Sequence, residues 1–188
     1  KNEIPLIDFH IHTNWTDGKN TSLEMYNKAI DERLESILFS EHVRKSSSNW
    51  FFKFVKEIRN LPKSTCLALV GIETKVDDFM GNLDSTDEII ESCDIVLASV
   101  HRFPGEKGII NDTRGISPSD ALKIELDLSL AVLENKNVDI LGHPFGMSYR
   151  RFKIEPSEEQ FKKIIKKAAK TGVAIEINSF YHPNPWKL

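Results

Sequence analysis

A chain of 188 residues with 40% hydrophobic and 28% charged residues of mixed sign can bury one substantial core, which excludes a disordered tail. The formal net charge of −3 gives no general attraction to nucleic acid, no run approaches the roughly 20 apolar residues of a membrane helix, and the start has no basic-then-apolar leader pattern. A single cytoplasmic domain over residues 1–188 is expected, and Cys66 and Cys93, far apart and outside any Cys-x-x-Cys spacing, read as reduced core residues.

The first apolar run carries Asp8, His10 and His12 at alternate positions and then breaks into a loop that holds Asp17. In a strand these three polar groups share one face, while Ile7, Phe9 and Ile11 share the other. Thr21 or Ser22 caps a helix through about residue 34, with Leu23, Tyr26, Ala29, Ile30 and Arg33 at helical spacing. A second strand over 36–40 ends at Glu41 and His42. The next helix, over 50–61, places Trp50, Phe54, Ile58 and Leu61 on one stripe and stops at Pro62. Residues 66–72 form a third strand that runs into Glu73, and a short helix over 86–92 leads to a fourth, over 95–100, which delivers His101 and Arg102.

A loop over 103–117, rich in Gly and Pro, has the length of a substrate-contacting lid. Ser117 and Pro118 open a helix to about residue 133, and strand five, over 138–141, ends at His143. Another loop, over 146–156, precedes a helix from Pro156 and Ser157 to Lys170, stopped by Gly172; strand six, over 173–177, closes on Asn178. The lysines of this last helix, Lys162, Lys163, Lys166, Lys167 and Lys170, read as its solvated face.

Six β/α units without hairpin signals imply parallel crossovers, in an open doubly wound sheet or a barrel. No glycine-rich dinucleotide fingerprint follows the first strand. Instead, five of the six histidines, His10, His12, His42, His101 and His143, stand with Glu73 at the ends of apolar strands, where barrel enzymes keep their chemistry. One rim crowded with imidazoles and carboxylates calls for cations. Such mixed ligands suit zinc, manganese or iron, and they are too many for one tetrahedral ion.

These residues fall into motifs: Asp8-x-His10-x-His12-Thr13 with Asp17-Gly18, Ser40-Glu41-His42, Gly71-Ile72-Glu73, Ser99-Val100-His101-Arg102, Gly142-His143-Pro144 and Glu176-Ile177-Asn178. Their order and spacing resemble the PHP (polymerase and histidinol phosphatase) family over nearly the whole chain. The resemblance implies an α/β fold, a distorted (β/α)7 TIM-like barrel, with two or three divalent transition-metal ions (Zn, Mn or Fe) at its rim. It assigns His10, His12 and Glu73 to one ion, His101 and His143 with Glu73 to a second, and Asp17 and His42 to a third. Asp8 and Glu41 would orient the adjacent imidazoles, and Asn178 would face the rim. The family completes its cluster with an Asp-x-His pair after a seventh strand. The sequence stops at Leu188 before such a pair, so a further C-terminal piece is expected, and His182 reads as a loop histidine.

The activity implied is hydrolysis of small phosphomonoesters by a metal-bound hydroxide near Glu73 and His101. Arg102 is the first candidate to grip a phosphate oxygen, with Arg150, Arg151 and Arg44 as loop candidates. The alternatives are a 3′→5′ exonuclease or nucleotide phosphoesterase of the same family, for which nucleic acid would be the partner, and a non-catalytic module.

Overall fold

Side chains that supply caps and stripes account for most of the elements. The computed structural model describes residues 5–105, 108–109 and 113–181, so His182 lies outside the described residues. The described residues form two compact units. One runs up to Glu73 and includes Ser85–Val96; the other comprises Thr74–Asp84 and the chain from Leu97 onward.

The first unit contains β1 (Ile7–Ile11), β2 (Ser36–Val43) and the opening residues of β3 (Leu67–Lys75) and β4 (Ile95–Ser99), neighbours in that order, and β1 pairs parallel to β2. Between them lie α1 (Ser22–Asp31), α2 (Ser48–Arg59) and α3 (Asp87–Glu91). Thr21 caps α1 in a reciprocal box with Glu24, and Thr86 accepts from the Ile89 N–H at the start of α3. Helix α1 stops at Asp31, earlier than its periodicity predicts, because Arg33 takes a left-handed φ of 60°. Helix α2 buries Phe51, Phe54 and Ile58, each burial stabilising by about 1.5–3 kcal/mol. Gly71 lets β3 approach its neighbours, since a Cβ there would lie 2.6 Å from the Leu38 side chain and 2.8 Å from the Ile95 carbonyl oxygen. The Asp94 carboxylate bridges, accepting from the Val70 N–H at 2.8 Å and from Arg59 at 2.6 and 2.7 Å.

Two strands are longer than the sequence predicts. Strand β2 continues through Glu41 and His42, and β3 through Glu73, so these residues sit within strands and their faces follow strand alternation. At the outer strand, Ile7 is exposed rather than buried.

In the second unit the later residues of β4 pair parallel with β7 (Ile140–Leu141), and β7 pairs parallel with β8 (Ala174–Ile175). The expected lid loop contains a small antiparallel pair, β5 (Pro104–Gly105) and β6 (Gly108–Ile109). Helix α4 (Pro118–Val132) begins with Pro118 beneath a Ser117 cap, as its sequence predicts. Helix α6 (Glu158–Thr171) has a Ser157–Gln160 capping box and ends on Gly172 at φ 81°. Four of its five lysines are exposed, Lys167 is half-buried, and Lys162, Lys163 and Lys167 pair with Glu158, Glu159 and Glu134.

Helix α5 (Gly146–Phe152) occupies what reads as loop in the sequence. Phe145, at its N-cap position, has no side-chain oxygen to offer, and the helix start is held by Glu125 of α4. Both cysteines are free; Cys66 is buried, and burial pushes its thiol pKa up.

Candidate metal centre

The first unit gathers three imidazoles around one buried carboxylate. Glu73 is 2% exposed. Its Oε1 lies 3.4 Å from His10 Nε2, and its Oε2 lies 2.8 Å from His42 Nδ1 and 3.6 Å from His12 Nε2. Asp17 reaches the same rings from the loop, with its oxygens 3.6 Å from His12 Nδ1 and 3.4 Å from His42 Nε2. One ligand atom from each of His12, His42 and Glu73 lies within 4.8 Å of the others.

The electrostatics suit a cation. Burial, reinforced by the neighbouring His42 ring, pushes the His12 pKa down to about 4, so its imidazole is neutral and keeps a lone pair to donate. At His42 burial pulls the pKa down, but the hydrogen bond with Glu73 and the charges of Glu73 and Asp17 outweigh it, and the net shift is upward. His12 thus offers a neutral nitrogen beside the carboxylate oxygens of Glu73 and Asp17, a mixture that fits zinc, manganese or iron.

The loop that carries Asp17 is shaped by Glu41 and Gly18. Glu41, fully buried, accepts from the Thr13 N–H at 2.7 Å, from the Thr13 hydroxyl at 2.6 Å and from the Thr16 hydroxyl. Burial raises its pKa against these hydrogen bonds. The imidazole-orienting role expected of Glu41 is therefore corrected, because alternation along β2 turns it to the face opposite His42, onto the threonines. Gly18 closes the loop by donating to the Thr13 carbonyl at 2.9 Å, and a Cβ there would lie 2.2 Å from the His12 carbonyl oxygen. Asp8 is likewise corrected: it is exposed, and its carboxylate accepts from the backbone N–H of His10 at 3.2 Å instead of a ring nitrogen.

In the second unit His101 follows β4 and His143 follows β7. Their Nε2 atoms face each other at 3.2 Å, with the rings stacked at 15°. Gly142 permits the approach of this segment, since a Cβ would meet Ser99 Oγ at 2.3 Å. The His143 N–H donates to the Glu176 carboxylate at 2.7 Å, and the Tyr181 ring stacks on its imidazole at 4.1 Å. Asn178 donates to the other oxygen of Glu176 at 2.9 Å, so it supports His143 through Glu176.

Arg150 and Arg151 line a pocket of about 210 Å³ together with His101, His143, Phe180 and Tyr181. The Arg150 guanidinium lies 3.8 Å over the Phe180 ring, a cation–π contact that leaves its N–H edge available for an anion. Arg102 is committed elsewhere. Its Nη2 donates to Asp77 at 2.5 Å and to Asp84 at 2.9 Å, so the expectation that it grips phosphate is corrected to a tether for residues 76–84. Arg44, just past β2, is exposed.

Comparison with known proteins follows the same lines. The PHP domain model matches residues 8–180. The chain belongs to the PHP domain family. A Clostridium novyi protein named "Probable phosphatase" is 30% identical over 93% of this chain and 64% of its own length. The DNA polymerase/3′-5′ exonuclease PolX of Bacillus subtilis is 27% identical over 96% of this chain and 30% of its own length. This PHP domain therefore spans just under two thirds of the length of the phosphatase-named relative. Its α/β fold with parallel strands is shared with a Listeria monocytogenes structure described as a "putative histidinol phosphatase", at a TM-score of 0.70 and 19% identity over 90% of this chain and 80% of that one. Among the described residues no helix is long and apolar enough to cross a membrane.

Sequence reasoning gave no role to Thr13, Thr16, Glu125 and Tyr181. Of these, Glu125 carried a signal: it is a charged residue on the buried stripe formed by Ala121, Leu122, Leu126 and Ser129.

Proposed function

We propose that this PHP domain is a metal-dependent phosphoesterase, built on the (β/α)7 barrel that its family resemblance implies, that hydrolyses small phosphomonoesters. The observation that carries the reading is the His12, His42 and Glu73 donor set with His10 and Asp17 beside it. In the first unit those five residues would hold zinc, manganese or iron; in the second, His101 and His143 would. The chemistry such ions supply when bound is acidification of a water molecule and neutralisation of charge on the attacking and leaving oxygens.

The protein's own groups do the positioning. Glu41 and the two threonines fix the loop that brings Asp17 to the imidazoles, while Glu176 and Asn178 fix the backbone of His143. Arg150 and Arg151 offer guanidinium groups to the non-bridging phosphate oxygens from the wall of the pocket that contains His101 and His143. The test is hydrolysis of a generic phosphomonoester by His101→Ala and Glu73→Ala. Each loses activity by about 100-fold or more while keeping its far-UV circular dichroism; retained activity would sink the proposal.

A second reading, 3′→5′ exonuclease action, is favoured by the similarity to PolX. It uses the same groups on a phosphodiester. Single-stranded oligonucleotides assayed beside histidinol phosphate and nucleotide 3′,5′-bisphosphates separate the two, and the net charge of −3 favours the small substrates.

A further inference from the structure

We infer that Glu125 is a positioning residue for the second-unit donor pair, holding His143 and the arginine-bearing wall of its pocket in place from a different helix. The inference rests on the metal reading above. Glu125 is 1% exposed on α4. Its carboxylate accepts from the Met147 N–H at 3.1 Å, the Ser148 N–H at 2.7 Å and the Ser148 hydroxyl at 2.6 Å. A carboxylate buried this deeply is costly unless its oxygens are satisfied, and all three donors come from the first turn of α5.

That turn follows His143 directly. Gly146 N–H donates to the His143 carbonyl at 2.9 Å and closes the segment, in which His143 at φ 24° and Phe145 at φ 64° both take left-handed conformations without being glycine. Such a backbone persists only where its surroundings over-determine it. Glu176 fixes the segment from the His143 N–H side, and Glu125 fixes it from the α5 side. Two carboxylates, one on α4 and one just past β8, thus clamp the turn that aims one imidazole. The same α5 start sets Met147, Arg150 and Arg151 against the pocket, so one clamp governs both a nitrogen ligand and the guanidinium groups.

A residue that merely stabilises the fold would lower the melting temperature and leave the cobalt affinity of the folded protein unchanged. Cobalt(II) is therefore titrated into wild-type protein, Glu125→Gln and Ser148→Ala, read by visible ligand-field bands, with far-UV circular dichroism to establish folding. No uptake by the wild type would overturn the metal reading, and this inference with it. Given wild-type uptake, the inference predicts that folded Glu125→Gln weakens one cobalt step by about tenfold or more and alters its band intensities. Unchanged affinity and bands would overturn the inference alone. Should Glu125→Gln fail to fold, Ser148→Ala decides: about fivefold weakening of the same step, the value of one hydrogen bond, supports it, and a smaller shift or none overturns it.

Discussion

Glu73 concentrates the chemistry of the first unit in one side chain, because it touches three imidazoles while almost wholly buried. Glu73→Gln keeps the shape and removes the charge, so phosphomonoester hydrolysis is expected to fall by about 100-fold or more with the fold retained; steady-state kinetics beside circular dichroism measure this. The two classes of arginine part in the same assay. Arg102→Ala removes a guanidinium partner from Asp77 and Asp84 and is expected to lower stability by roughly 1–3 kcal/mol in urea denaturation. Arg150→Ala is expected to raise KM and leave the denaturation midpoint nearly unchanged, since its ring contact is at the surface. Gly18→Ala forces a Cβ against the His12 carbonyl and is expected to destabilise by about 1–3 kcal/mol; an unchanged urea midpoint would contradict this. His10 and His12 were legible in the sequence because alternation along an apolar strand is a local property, and His42 and Glu73 because each follows closely on an apolar run. The roles of Glu41 and Arg102 were not, since a partner such as Thr13 or Asp84 is chosen by tertiary packing.

At the scale of elements, helices with their own side-chain caps were legible, and α5, held at its start from another helix, was not. Thr21, Ser117 and Ser157 announce α1, α4 and α6, whereas α5 depends on Glu125, some twenty residues upstream. That dependence has a pH signature. Burial pushes the Glu125 pKa from 4.5 to about 7 despite its hydrogen bonds. Because the folded value is the higher one, the folded state binds a proton that the unfolded state releases. The contribution to stability is complete below about pH 4.5 and is lost as the pH rises through about 7, a change on the order of 3 kcal/mol. Wild-type protein should therefore lose thermal stability between about pH 5 and about pH 8 more steeply than Glu125→Gln. Parallel slopes in the two proteins would contradict the assignment.

For the whole molecule, the alternation of strands and helices and the histidines at strand ends led from sequence to an α/β fold with parallel strands and to the PHP family, both of which the structure and the comparisons show. The central claim is that hydrolysis belongs to ions held by these imidazoles and carboxylates. The most direct measurement is p-nitrophenyl phosphate hydrolysis by the chelator-stripped protein, before and after addition of manganese, zinc or iron(II). The account predicts no turnover when stripped and restored turnover with at least one of these ions. Full activity in the stripped protein, or none with any of the three, would contradict it.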